Sequence, residues 1–258
     1  MHWLLFDLAA PLASYGGVAP GSVRDTDLLP SRSAVLGLLA AAAGIQRDEI
    51  QRQKELGCDL LIAARVNVEA VLLRDYHTAQ APGQAALKGR PCATRRDELA
   101  LPKDDLNTVL SNRYYYADYA ATVGVASMDA EKLRNLERAL RSPCFALYLG
   151  RKSCPPAWPL DPHRLDADTL ADALEAYDAH AGMKLAAFSR FGVERWLRNP
   201  SGCYAYRGDD AIADGWRVEP GDLGGHIRHI VRRDDPTDTL RRLYAERAQW
   251  RLEREATS

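Results

Sequence analysis

No cysteine in this chain belongs to a C-x-x-C pair. The five cysteines, Cys58, Cys92, Cys144, Cys154 and Cys203, are odd in number and irregularly spaced. That pattern argues against a disulfide frame or a zinc site and fits reduced thiols in a cytoplasm. Long apolar runs are missing too. The longest, Ala34 to Ala43 with Gly37 inside it, falls well short of the roughly 20 residues a membrane helix needs. The N-terminal stretch has no basic leader and is interrupted by Asp7, so no signal peptide is expected. Charge of one sign is also lacking. Thirty-four Lys+Arg against 35 Asp+Glu leave a formal net charge of −1. A free-standing nucleic-acid binder usually carries a clear positive excess, so autonomous binding is disfavoured while a local basic patch is not.

The signatures of common catalysts are absent as well. The chain has no G-x-S-x-G, no H-E-x-x-H and no Walker loop. Gly150-Arg151-Lys152-Ser153 has a phosphate-loop flavour but lacks the upstream glycine and the Gly-Lys pair. His226 and His229 stand three apart where a strand is expected, which sets them on opposite faces. The pairs Asp209-Asp210 and Asp234-Asp235 adjoin Gly or Pro and read as turns. No metal and no cofactor is expected.

What remains is an ordinary globular composition, 47% hydrophobic and 27% charged over 258 residues. That length suits one large domain or two small ones. His2 to Ala10 reads as a buried strand ended by Pro11. Ser14 to Pro30 is loop. Ser31 or Ser33 caps a helix that stops at Gly44, and a second helix reaches Leu56. Leu60 to Leu73 is one long strand or a hairpin. Residues 79–112 show no core pattern, which marks a functional or disordered insertion. Tyr114 to Val125 is a strand. Asp129 to Leu140 is a helix with Leu133, Leu136 and Leu140 at helical spacing, and Phe145 to Leu149 is a strand. Setting the insertion aside, the order is the β-α-β-β-α-β of a ferredoxin-like fold, whose sheet RNA-recognition modules use. Beyond Asp161, a helix is expected over Asp166 to Tyr177. Strands are expected near Met183 to Phe188, Tyr204 to Arg207, Trp216 to Glu219 and His226 to Arg232, and a helix or strand over Leu240 to Arg254.

Three clusters carry binding chemistry. Ser31-Arg32-Ser33 opens the first helix, whose free N–H groups suit phosphate, with Arg32 adding charge; a plain cap with a surface arginine is the simpler alternative. Arg74, Tyr76 and His77 enter the insertion, and Arg113 to Tyr116 leave it. These rings would stack on unpaired bases or, for at least one tyrosine, pack in the core. Gly150 to Ser153 follows a strand, where a glycine permits close backbone approach and two cations meet a phosphate, or else make a basic turn.

At these same residues the chain resembles a known family. PSRSAVLGLLAAAAGIQRD at Pro30 to Asp48, LRDYHT at Leu73 to Thr78 and LYLGRKSCPPAWPL at Leu147 to Leu160 are similar to the CasD subunits of type I-E Cascade, in the RAMP superfamily of CRISPR proteins. The resemblance covers about residues 1–160 and thins beyond. It implies an α+β fold, with a ferredoxin-like (RRM-like) palm over 1–78 and 113–160. A β-hairpin thumb is inserted at 79–112, and a strand-rich C-terminal domain follows over 161–258. It implies a cytoplasmic antiviral-defence subunit that caps the 5′ handle of the CRISPR RNA. It would dock a CasC-like backbone subunit and a CasA-like large subunit, and meet target DNA only through the assembled complex. The handle contacts it implies are Tyr15, Gly16, Arg24, Ser31, Arg32, Ser33, Arg74, Tyr76, His77, Arg113, Tyr115, Gly150, Arg151, Lys152 and Ser153. No enzymatic activity is expected. The alternative is a metal-independent endoribonuclease that processes repeat RNA, as in the related type I-C branch. That branch uses a tyrosine with a Lys-His pair, and no lysine here is followed by histidine.

Overall fold

The computed structural model describes residues 1–188, 205–209 and 226–253, apart from positions 18, 20, 69, 90 and 242. In chain order the elements begin with β1 (His2–Ala13), β2 (Val23–Arg24), α1 (Arg32–Ala42), α2 (Ile50–Gly57), β3 (Leu61–Val66) and β4 (Val71–Pro82). Two short helices, α3 (Gln84–Leu87) and α4 (Arg95–Leu99), and a 3-10 turn (Lys103–Asp105) lead into β5 (Leu106–Ser127). Then come α5 (Ala130–Arg141), β6 (His163–Asp166), α6 (Leu170–Phe188), β7 (Ala205–Asp209), β8 (His226–Asp238) and β9 (Leu243–Glu253).

Among the described residues the strands join one sheet in a mixed α/β architecture. The order is β6-β1-β5-β3-β7-β9-β8, with β2 and β4 also paired to β5. β1, β5, β3 and β6 meet antiparallel. β1 is apolar on both faces because both faces are covered. Its even residues Leu4, Phe6, Leu8 and Ala10 pack with α1 and with Leu133, Leu136 and Leu140 of α5. Its odd residues Trp3 and Leu5 pack with Leu170, Ala173, Leu174 and Tyr177 of α6. A one-residue slip would exchange these faces, so two covering layers fix the register. Arg65 of β3 adds a two-pronged ion pair to Asp178 of α6, at 2.7 and 2.5 Å. Asp129 caps α5 by accepting from the N–H groups of Glu131 and Lys132.

β5 has two halves. Its C-terminal half lies between β1 and β3. Its N-terminal half, Leu106 to Ala117, pairs with the whole of β4 to make an arm. β2 joins its other edge at Asn112 and Arg113 and β1 at Tyr116 and Ala117, so the arm is two-stranded only toward its tip, Leu106 to Ser111.

Several expectations are corrected. Pro11 does not end β1. Asp7 donates its N–H to Leu160 O and Ala9 O accepts from Ala157 N–H, so odd positions face the outer edge of the strand. Pro11 falls in that series, where a missing N–H removes no bond to β5. Phe145 to Leu149 is not a strand. The N–H groups of Cys144 and Phe145 donate to Ala42 O and Ala41 O, capping α1 instead of joining a ladder. The sheet's outer strand beside β1 is β6, sequence HRLD, which is short and polar as edges are. Met183 to Phe188 continues α6 and is not a strand. Residues 79–112 begin and end in arm strand and hold two short helices. Asp234 and Asp235 lie in β8, not in a turn. Leu240 to Arg254 resolves as strand β9. Trp216 to Glu219 and Cys203 lie outside the described residues.

Candidate nucleic-acid interface

The site is built where β1 ends. Ser14 donates its N–H to Leu149 O at 3.1 Å, and Leu149 donates to Cys154 O at 2.7 Å, so the Gly150 to Ser153 loop is closed against the strand end. Gly150 has φ +83°, and a Cβ there would lie 1.8 Å from Ser14 O. Only glycine fits that approach. The loop aims Arg151 inward. Its guanidinium carbon sits 4.7 Å from the centroid of the buried Tyr115 ring, a cation–π geometry. One terminal nitrogen donates to Arg24 O at 3.1 Å. The other, Nη1, is buried and has no hydrogen-bond partner.

From this corner a groove of about 680 Å³ runs along α1. Tyr15, Gly16, Arg24, Ser31, Ser33, Gly150 and Arg151 all line it. Ser31 caps α1 by accepting from Ala34 N–H at 3.1 Å, and its Oγ is 3.0 Å from that of Ser33. Gly16 leaves room for the Asp25 carbonyl, 2.9 Å from where a Cβ would sit. Tyr15 is buried and stacks edge-on with Tyr119, centroids 5.6 Å apart. Burial, and then Tyr119 beside it, push its phenol well above the usual tyrosine range. Tyr15 is therefore a neutral wall. Three arginines, Arg24, Arg47 and Arg151, face one carboxylate, Asp25, in this lining. The patch is basic although the chain is not.

The other candidates lie elsewhere. Arg32 turns away from the groove. Its side chain is 13% exposed, and its guanidinium donates to Leu60 O and Gly57 O, both at 2.9 Å, and to Asp235 Oδ1 at 3.1 Å. Its backbone N–H donates to Asp234 Oδ2 at 3.0 Å. Carboxylates thus hold the anion position at the start of α1 where the sequence suggested a phosphate. Arg74, Tyr76, His77 and Arg113 belong to the arm. Cross-strand partners share a face, so Arg74 and Tyr76 lie with Tyr114 and Asn112, and His77 lies with Ser111 on the other face. Lys152 and Ser153 are exposed on the loop and do not line the groove.

The groove also uses residues that sequence reasoning missed. Arg47 lies inside the Pro30 to Asp48 motif. Phe145 and Tyr148 come from the segment expected to be a strand, and Pro236, Thr239 and Tyr244 from the C-terminal hairpin. For the hairpin no local signal existed. Among the described residues no cluster of His, Cys, Asp or Glu could hold a metal ion, and no helix is long and apolar enough to cross a membrane.

A family model described as CRISPR-associated protein (Cas_Cas5) matches residues 3–251. The chain belongs to the Cas5 family. Among curated relatives, this Cas5 chain is 32% identical over 193 residues to the CRISPR system Cascade subunit CasD of Escherichia coli (strain K12). That match covers 70% of this chain and 79% of the relative. Of solved structures, a chain from a CRISPR RNA-guided surveillance complex aligns with a TM-score of 0.57 and 25% identity, covering 97% of this chain and 90% of that one. A second structure, of a Cas protein, aligns with a TM-score of 0.56 and 24% identity, covering 97% and 94%, and speaks to fold alone.

Proposed function

We propose that this Cas5-family chain is a non-catalytic, cytoplasmic subunit of a CRISPR surveillance complex, and that it caps the 5′ handle of the CRISPR RNA in the groove beside α1. The observation that carries this reading is Arg151. It is a cation stacked on Tyr115, with one buried nitrogen lacking a protein partner, at the mouth of a groove with three arginines to one acid. A buried unpaired donor is costly, and a small turn of the Arg151 guanidinium toward the groove would let it, with Arg24 and Arg47, donate charge-assisted bonds to phosphate oxygens. In this reading the order β6-β1-β5-β3, with α1 and α5 on one face, is the ferredoxin-like palm. The β4–β5 arm is its thumb. The arm exposes Val71, Leu73 and Val109 on one face and Leu72, Tyr76 and Leu110 on the other, either of which offers apolar surface suited to a backbone subunit. The large subunit docks nearby by analogy, and target DNA is met only through the assembly. Tyr76 and His77 are adjacent on a strand and point to opposite faces, which disfavours their use as a nuclease pair.

The test is to co-express the chain with its partner subunits and a CRISPR array and sequence the 5′ ends of the bound RNA. The expected result is one discrete end. Arg151→Ala is expected to lose that RNA about tenfold or more. The chain should still fold, with a stability loss of no more than about 1–2 kcal/mol from the lost stacking on Tyr115 and the lost bond to Arg24 O. Arg32→Ala is expected to destabilise the fold by about 1–2 kcal/mol, because it leaves the Leu60 and Gly57 carbonyls without their donors, while the half-exposed Asp235 stays solvated. Assembly with an unchanged, uniform RNA end in Arg151→Ala would sink the assignment of the groove.

A further inference from the structure

β8 and β9 form an antiparallel hairpin at the far edge of the sheet order, yet three of its residues line the groove. The chain brings them there through charged ties. Arg232 pairs with Asp27 of the loop before α1. Arg247 Nε lies 2.8 Å from Asp234 Oδ1. Asp234 and Asp235 both reach Arg32, one on its backbone N–H and one on its guanidinium. Neighbours on a regular strand point to opposite faces and would not meet one residue together. The register shift between Arg233 and Asp235 makes Asp234 the extra residue, and this bulge re-aims both carboxylates. A second shift between Pro236 and Asp238 bends the strand again. Thr239 then donates its hydroxyl to Arg47 O at 2.8 Å, and Tyr244, opposite Pro236 in the ladder, faces the groove half-exposed.

We infer that the β8–β9 hairpin is a wall of the RNA groove, that Tyr244 is a stacking platform for an unpaired base, and that the Asp235–Arg32 pair is the positioning clasp that holds this wall. The inference rests on the reading of the groove as the RNA site. The chemistry divides the lining. The hairpin contributes Pro236, Thr239 and Tyr244, none of them charged, and the strap before Gly150 adds Phe145 and Tyr148. The cations Arg24, Arg47 and Arg151 come from other segments. Phosphates belong with the arginines, and a base, which has an apolar face, belongs with the rings. Arg32, read from sequence as an RNA contact, acts through the hairpin instead.

The test uses the complex reconstituted from this chain, its partner subunits and single-stranded RNA of the repeat sequence, titrated at several salt concentrations. Tyr244→Ala is expected to weaken RNA binding by at least about fivefold. The salt dependence should stay the same, since stacking releases no counterions, whereas Arg151→Ala should lower the salt slope by about one. Tyr244→Phe keeps the ring and is expected to restore the affinity. Asp235→Asn keeps the ring but loosens the clasp, and is expected to weaken RNA binding together with faster amide exchange over 243–253. Parental affinity in Tyr244→Ala, with loss in Arg151→Ala, overturns the wall and leaves the groove assignment standing. Equal loss in Tyr244→Ala and Tyr244→Phe overturns the stacking role. Parental affinity in all of these variants overturns the groove itself.

Discussion

Strand β5 passes through two environments along one continuous ladder, and the contrast between its halves explains most of this molecule. From Tyr119 to Ser127 it is flanked by β1 and β3, and both faces are covered, by α1 and α5 on one side and α6 on the other. From Leu106 to Ala117 it has the same antiparallel pairing to β4, but Tyr115 is the one residue of this half that is buried, and Asn107 to Leu110 at the tip are exposed. Val71 is 64% exposed there and Tyr76 59%. At the tip, from Leu106 to Leu110, backbone pairing therefore sustains the strand without a core. An isolated two-stranded ribbon gains little from it in water. The buried half supplies the stability, and the open half is left with apolar side chains that only another surface can cover.

The comparison is broken most strongly in the buried half. Phe6 lies opposite Val123 and is fully buried. Phe6→Ala is expected to cost about 3–5 kcal/mol, the range for emptying an aromatic site in a core, measured by urea unfolding of the free chain. Next comes the arm. Leu73→Ser and Leu110→Ser, one on each face, are expected to change stability by less than about 0.5 kcal/mol. The variant on the docked face is expected to lower recovery of the assembled complex several-fold, read by co-purification. A stability loss like that of Phe6→Ala would show that the arm is core after all.

The smallest effect is electrostatic and sits at the β6 edge. His163 stacks on His180 of α6, ring centroids 4.1 Å apart. Desolvation first, and then His180, hold the His163 pKa below the usual 6.5, against the opposing pull of Glu137 and alongside Arg141 and Arg164. The unfolded chain then binds a proton before the folded one does. This contribution is fully present above 6.5 and is lost as pH falls from there through the lowered folded value. Amide exchange in β6 and the start of α6 should rise over that interval, and His163→Phe should flatten the response.

Local patterns carried much of the fold. The Ser31 cap, the Leu133, Leu136 and Leu140 stripe, the apolar β1 and the patternless 79–112 segment are each written in neighbouring residues. So are Gly150 and Arg151, because a tight loop must carry its glycine and its cation in its own sequence. Other features were not legible. Phe145 to Leu149 has strand composition, but the end of α1 takes its N–H groups. The HRLD of β6 has no apolar alternation, because an edge strand needs little.

The sequence by itself determined that Ser31 caps the first helix, that β1 is buried, and that Gly150 and Arg151 share one tight loop, since these depend on residues a few positions apart, while Arg24 is implied only by the family resemblance. Only the tertiary structure decided which way Arg32 faces and what closes the groove. Arg32 meets Asp235 across 203 positions, and Thr239 meets Arg47 across 192. Contacts of such separation follow from packing and leave no periodicity, spacing or motif in the chain between them.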